Sequence, residues 1–279
     1  MKLPTNIRSQ LTQLGELADE NINLVESALL LASIERPGAA KKPYLRHLER
    51  IVEEVRAYID SSSAKGDLTQ IVEALRQIIA KRYGYKGADD AFEDSDSANL
   101  MRVIDRRNGI PVALGIIYIH AARTLGWFVS GLDFPARFLV RLENGGERII
   151  IDPFGGGRVV TPKDMREIFK AVYGNQAEIK PAHYEDLDNR GILLRLQNNI
   201  KFRLIHAKRF EEALHTIETM LFFAPGEASL WREAGLLNAR LDNVHESVAA
   251  LEEYLRLNAT DAARLRTSIL LQELRGRLT

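Results

Sequence analysis

Laid upon itself with an offset of 34 residues, the C-terminal third of the chain repeats, Gln197 to Pro225 aligning with Trp231 to Ala259. Phe210 then matches Val244, Ala213 matches Ser247, Ile217 matches Leu251 and Leu221 matches Leu255. A period of this length is that of a two-helix unit whose apolar face only a neighbouring unit can bury, so it constrains the fold more than any single motif. Trp231, Ala234, Gly235 and Leu251 supply the large, small, small and large residues that crossing helices need, and Ile200, Leu204, Ala213, Ile217 and Pro225 do the same one unit earlier. Lys201 and Asn238 depart from the pattern, standing where a small residue and an aromatic one are usual. A helix from about Ala262 to Leu274 would cap the stack.

Ahead of the repeats, apolar residues recur every three or four positions from about Asn6 to Ala80, as in Leu48, Ile51, Val52, Val55 and Ile59, then Ile71, Leu75, Ile78 and Ile79. That spacing predicts packed helices. Arg36-Pro37-Gly38 and Ser61-Ser62-Ser63 break them, and Asp67 or Thr69 is expected to cap the third. Gly87 to Asn99 is acidic and reads as a surface loop; Glu93, Asp94 and Asp96 lack the glycine and terminal glutamate of a calcium loop. From Val112 to Leu125, between Pro111 and Gly126, runs a helical pattern with almost no polar face, which predicts burial on most sides. The period then changes to that of strands at Phe128 to Leu132, Phe138 to Leu142 and Arg148 to Ile151, the last two joined through Asn144-Gly145-Gly146.

Composition removes whole classes of function. With no cysteine there is no disulfide, thiolate metal site or thiol nucleophile. Lys plus Arg equals Asp plus Glu at 38 each, so no overall field draws nucleic acid or an anionic membrane, and neither is expected as a partner. Met-Lys-Leu-Pro-Thr-Asn followed by a polar segment does not read as a secretory leader, and no apolar run approaches a membrane span, so the expected location is cytoplasmic. No cofactor or metal is expected: His206, His215 and His245 lack ligand spacing and read as surface residues, and Gly155-Gly156-Gly157-Arg158 lacks the lysine and hydroxyl of a phosphate loop and reads as a turn.

Four segments gain meaning together: Arg106-Arg107-Asn108-Gly109-Ile110-Pro111-Val112-Ala113-Leu114, Arg123-Thr124-Leu125-Gly126, Phe134-Pro135-Ala136-Arg137-Phe138-Leu139-Val140-Arg141, and Ile151-Asp152-Pro153-Phe154-Gly155-Gly156. In order and spacing they resemble the bacterial transglutaminase-like family of the "SirB-one" type, which carries tetratricopeptide repeats behind that domain. The resemblance implies a cysteine-proteinase-type fold. In its active relatives a cysteine opens the buried helix and a histidine and an aspartate sit on neighbouring strands. A helix N-terminus lowers a thiol's pKa, and an imidazole held by a carboxylate completes the base.

Here the nucleophile's place falls at about Ala113, and the family's Phe-Pro-Gly-His-Phe-Leu reads Phe134-Pro135-Ala136-Arg137-Phe138-Leu139. A guanidinium stays protonated near neutral pH and cannot act as a general base. Only Asp152 keeps the implied residue type. If Asn144-Gly145 is the hairpin turn, Arg137 faces Asp152 directly; if Gly145-Gly146 is the turn, Asp152 faces Leu139 and the arginine is diagonal to it. Two readings of Arg137 stand: a cross-strand ion pair, or a residual pocket that binds an anionic or polar group.

The expected fold is α+β and predominantly helical: a transglutaminase-like domain with a small antiparallel sheet over residues 1–188, then tetratricopeptide-like repeats over 189–279. The first helix of each repeat would line a concave face presenting Arg195, Asn198, Phe202 and Ile205, then Arg232 and Leu236, which suits an acidic and apolar peptide unless that face packs on the front domain. The expected function is a non-catalytic protein-interaction or adaptor module of regulatory kind. Two rivals are a hydrolase or amide-bond transferase using Asp152 with His120, though His120 reads first as a core histidine, and a structural subunit of an oligomer.

Overall fold

The computed structural model describes residues 3–61, 66–88, 94–135, 137–257 and 261–277. Glu93 and Ala136, which figured in the sequence reading, lie outside them. The chain is mostly helical with one five-stranded antiparallel sheet, and it divides into two compact units, Asp19–Leu196 and a second formed by Met1–Ala18 with Gln197–Thr279.

The front unit, Asp19–Leu196, is built around one helix. Helices α2 (Leu24–Ile34), α3 (Lys42–Asp60), α4 (Leu68–Leu75) and α5 (Leu100–Arg106) all pack on α6 (Pro111–Thr124), which is buried along nearly its whole length. Pro111 starts α6 where the missing N–H costs nothing, and Gly126, at φ 80, turns the chain out after it. Asp67 caps α4 by accepting from the Thr69 N–H, and α4 runs on as a π-helical turn, Arg76–Arg82. Part of the expected acidic loop is a short 3-10 turn, Ser95–Ala98, capped by Asp94. Asp94 and Asp96 are held by Arg106 at 2.6 and 2.7 Å, so this acidic stretch is neutralised by its own chain.

The sheet comprises β1 (Phe128–Leu132), β2 (Leu139–Asn144), β3 (Glu147–Asp152), β4 (Arg158–Val159) and β5 (Asp186–Leu187), in the order β4-β3-β2-β1-β5. Asn144 pairs with Glu147, so Gly145-Gly146 is the turn, with φ 57 and 86. A two-residue turn matching the strand twist needs positive φ at both centres, which two glycines meet without a Cβ penalty. Helix α7 (Pro162–Tyr173), not expected from the apolar spacing, is fixed by a capping box between Thr161 and Asp164 and buries Met165 and Phe169 against Leu132, Phe134 and Leu139.

The expected division at residue 189 coincides with the first residue of α8 (Asn189–His206), while the compact units part between Leu196 and Gln197 inside that helix. The second unit continues with α9 (Phe210–Phe223), α10 (Ala228–Arg240), α11 (Val244–Leu257) and α12 (Asp261–Gly276). A Cβ on Gly235 would lie 2.5 Å from the Leu251 side chain, and Ser247 Oγ donates to the Gly235 carbonyl at 2.7 Å, so α10 and α11 cross as closely as the small residues allow. The repeat is also written in the backbone: Lys208 and Asp242, 34 residues apart, both take positive φ, 57 and 64, between the helices of a pair. Lys201 is buried and ion-paired to Glu233 at 2.5 Å, which makes its place at the α8–α10 contact tolerable. Leu271 and Leu274 of α12 pack with Leu251 and close the stack. Helix α1 (Thr5–Glu16) joins this unit through Gly15, which lies against the backbone of Phe222 in α9.

Candidate functional site

The first turn of α6 offers no chemistry. Pro111, Val112 and Ala113 are all buried, and the only side chain reaching the implied nucleophile's place is a methyl group. Gly115, one half-turn on, lets the Phe138 ring pack directly against the helix; a Cβ there would overlap that ring.

Strands β2 and β3 bring Arg137 and Asp152 together in the diagonal arrangement. Leu139 begins β2 opposite the end of β3, and Arg137, two residues earlier, reaches across so that its Nη1 donates to Asp152 Oδ2 at 2.8 Å. Asp152 is fully buried, whereas the arginine side chain is 28% exposed. Three further groups compensate or surround the carboxylate. The Phe154 N–H donates to Oδ1 at 3.0 Å, Arg158 Nε stands 3.5 Å from Oδ2, and the Asp152 carbonyl accepts the Gly157 N–H at 2.8 Å. Arg137 also covers the Phe154 ring at 5.1 Å.

The glycine run has a closer role than a flexible turn. A Cβ on Gly155 would stand 2.9 Å from Asp152 Oδ2, and one on Gly157 2.8 Å from the Tyr118 hydroxyl, while Gly156 and Gly157 take φ 70 and 75. Only residues without a side chain let the loop wrap the carboxylate so tightly. Tyr118 is buried, and its hydroxyl has no hydrogen-bond partner among the described residues. Burial, reinforced by the Asp152 charge, pushes this phenol well above its ordinary pKa, so it stays protonated. Arg158 and Tyr118 were not singled out from the sequence. Arg158 had a signal, a strand-edge arginine six residues after the aspartate, but Tyr118 is one aromatic in an apolar helix.

His120 does not join this group. It follows Tyr118 by two residues, about 200° round an α-helix. Burial lowers its pKa and Glu49 of α3 opposes that shift, which places it towards α3. No hydrogen bond joins His120 to Asp152 among the described residues, so the pair required by a non-cysteine hydrolase is not assembled.

The remaining residues divide clearly. Arg195 belongs to the front unit, where it bonds Asp133 at 2.5 Å and the Phe134 carbonyl at 2.6 Å, anchoring the segment that leads to Arg137. It is therefore not an open peptide contact. Asn198 and Ile205 are half-buried, whereas Phe202, Arg232 and Leu236 are exposed, the two apolar ones by 53% and 41%. His206 and His245 are at the surface. His215, expected there too, is half-buried on α9 with its pKa lowered by that burial and Nε2 unpartnered among the described residues; it lines a cavity of about 700 Å³ with Arg8, Glu218 and Trp231. Among the described residues no three His, Asp or Glu side chains are grouped to hold a metal, and no helix is long and apolar enough to cross a membrane.

Residues 42–198, which contain α3 to α7 and the whole sheet, match the model of the transglutaminase-like superfamily. The chain belongs to that superfamily. Residues 200–272 match a tetratricopeptide repeat. This transglutaminase-like protein is 29% identical to a UPF0162 protein of Xylella fastidiosa over 88% of its own length and 87% of the relative's. It is 30% identical to a UPF0162 protein of Pseudomonas aeruginosa, over 92% and 93%. Protein SirB1 of Salmonella typhimurium is 26% identical over 87% and 89%. The four segments that suggested the family are thus features of common descent across nearly the whole chain, in a domain that here lacks any cysteine.

Proposed function

We propose that this protein is a non-catalytic member of its superfamily and acts as a protein-interaction or adaptor module of regulatory kind. The observation that carries the reading is the state of Asp152: buried, with a guanidinium where a base is implied, and facing a helix whose first turn ends in Ala113. A carboxylate already paired to Arg137 and hydrogen-bonded by Phe154 has no proton to relay and no imidazole to orient. The ion-pair reading of Arg137 is accordingly preferred to an anion pocket there.

The binding surface is placed on the repeats, whose fold is one used to hold peptides. Phe202 and Leu236 occupy the same place in successive units, 34 residues apart, and both expose apolar surface. Arg232 adds a cation, and Asn198 and Ile205 flank Phe202 along α8. A short peptide with acidic residues beside apolar ones fits this chemistry.

The test is affinity of the full chain for a library of such peptides, comparing wild type with the Phe202→Ala, Leu236→Ala double variant. A roughly micromolar Kd that weakens by about tenfold or more is expected. Turnover of glutamine, peptide or amine substrates by wild type, lost in Asp152→Asn, would overturn the non-catalytic reading.

A further inference from the structure

A cavity of about 570 Å³ in the front unit is lined by Arg36, Tyr44, His47, Asp105 and Arg107, away from the residues around Asp152. Its two arginines are differently occupied. Arg36 is engaged: its Nη1 donates to Asp105 at 2.6 Å and to the Tyr44 hydroxyl at 2.8 Å. Arg107 has no carboxylate partner. Its Nη1 donates to His47 Nε2 at 2.6 Å and to the Tyr85 hydroxyl, and its guanidinium lies 5.0 Å from the Tyr85 ring centre. Among the described residues nothing meets its Nε and Nη2 donors. Those two nitrogens form the edge with which a guanidinium grips two oxygens of one anion.

Three further observations agree. Burial, together with Arg107 and Arg50, lowers the His47 pKa to about 4, so at neutral pH the ring is uncharged and accepts from Arg107 without neutralising it. Asp105 is balanced by Arg36, which leaves Arg107 as the uncompensated charge of the cavity lining. The backbone of Arg107 is left-handed, φ 61 and ψ 17, at the end of α5, a place that glycine or asparagine fills with less strain. Backbone geometry alone would not select an arginine there, so the guanidinium has a use of its own.

We propose that this cavity binds an oxyanion, the phosphate or carboxylate group of a small molecule, held side-on by Arg107. His47 and Tyr85 aim the guanidinium by occupying its Nη1, and the Arg36–Asp105 pair walls the site without repelling the ligand.

The experiment titrates the full chain with inorganic phosphate and, separately, with acetate, at an ionic strength fixed by chloride, following arginine Nε–H resonances by NMR. The Arg107 resonance is assigned by its loss in Arg107→Asn, a substitution that suits the left-handed backbone. A saturable shift of that resonance is expected, and the anion that saturates it at lower concentration identifies the group recognised. Arg107→Lys keeps the charge but not the planar fork and is expected to weaken binding about tenfold. If neither anion gives a saturable shift, or if the Asn and Lys variants bind as wild type does, the proposal fails; should the Asn variant not fold, the Lys variant alone decides.

Discussion

Replacing Arg137 by alanine is expected to destabilise the front unit by about 2 kcal/mol. Removing one partner of a buried ion pair costs about 3–5 kcal/mol when the remaining charge is left uncompensated. Here the compensation is partial, because Arg158 Nε remains 3.5 Å from Asp152 Oδ2 and the Phe154 N–H still donates to Oδ1 at 3.0 Å. The guanidinium is also 28% exposed, so water can enter where it stood, which lowers the cost again. Loss of its contact with the Phe154 ring adds roughly 0.5 kcal/mol. Trp127 lies in the front unit and Trp231 in the repeat unit, so urea unfolding followed by tryptophan fluorescence in a Trp231→Phe background reads the front unit alone. With a slope of about 2 kcal/mol per molar urea, the midpoint should fall by about 1 M. Asp152→Asn combined with Arg137→Ala should cost less than the two changes separately, because the amide no longer needs a counter-charge. A midpoint within about 0.2 M of wild type for Arg137→Ala, or strict additivity of the two, would refute the account of Asp152 as a charge held by Arg137.

Gly235→Ala places a methyl group 2.5 Å from the Leu251 side chain and is expected to cost about 1–3 kcal/mol in the repeat unit, read through Trp231 in a Trp127→Phe background; an unchanged midpoint would show that α10 and α11 can move apart freely. His47 makes the front unit sensitive to acid. Its folded pKa of about 4 lies below the ordinary value of 6.5, so the unfolded chain binds more protons between those limits; the contribution is complete above pH 6.5 and is lost as pH falls towards 4. Burial leads this shift, Arg107 and Arg50 add to it and Glu54 opposes it; discounted for the ring's partial exposure, the loss is about 1–2 kcal/mol. Urea midpoints of wild type and His47→Gln should therefore converge or cross as pH is lowered from 7 to 4, and a constant gap between them would contradict the neutral, desolvated imidazole.

The elements legible in the sequence are those in which periodicity and burial agree. Helix α6 was legible because Val112 to Ala122 contains no polar face to exclude any side from the core, and α10 and α11 because Gly235 and Leu251 recur at a fixed period. The hairpin was legible as an element but its register was not, since Asn144-Gly145 and Gly145-Gly146 satisfy the same turn chemistry and the choice rests on the pairing of Asn144 with Glu147. Helix α7 carried its signal in Thr161-Pro162-Lys163-Asp164, a cap and first turn rather than an apolar stripe. The packing of α1 on α9 had none: Ile7, Leu11 and Leu14 announce an apolar face, and nothing local says which surface covers it. Likewise the Arg158–Asp152 and Arg195–Asp133 pairings are set by tertiary approach.

The same distinction explains why Asp152 can persist in a chain without a nucleophile. In a triad the carboxylate holds an imidazole, and its burial is useful only for that purpose. Here β3 ends at Asp152, and its carbonyl and carboxylate together fasten the Gly155–Gly157 loop through the Gly157 and Phe154 N–H groups. The Phe154 carbonyl in turn accepts the Gly87 N–H, so the carboxylate's neighbourhood ties the loop after β3 to the segment that follows α4. Arg137 supplies the counter-charge from β2's leading edge, and Arg195 bonds the Phe134 carbonyl three residues before it. Replacing Asp152 by an apolar residue would release these connections together, whereas replacing the thiol and the imidazole removed reactivity and left the packing to be filled by Ala113 and by an arginine. A carboxylate inherited from a catalytic arrangement thus becomes a structural joint, which is the condition under which a superfamily fold can keep its shape while its use passes to another surface.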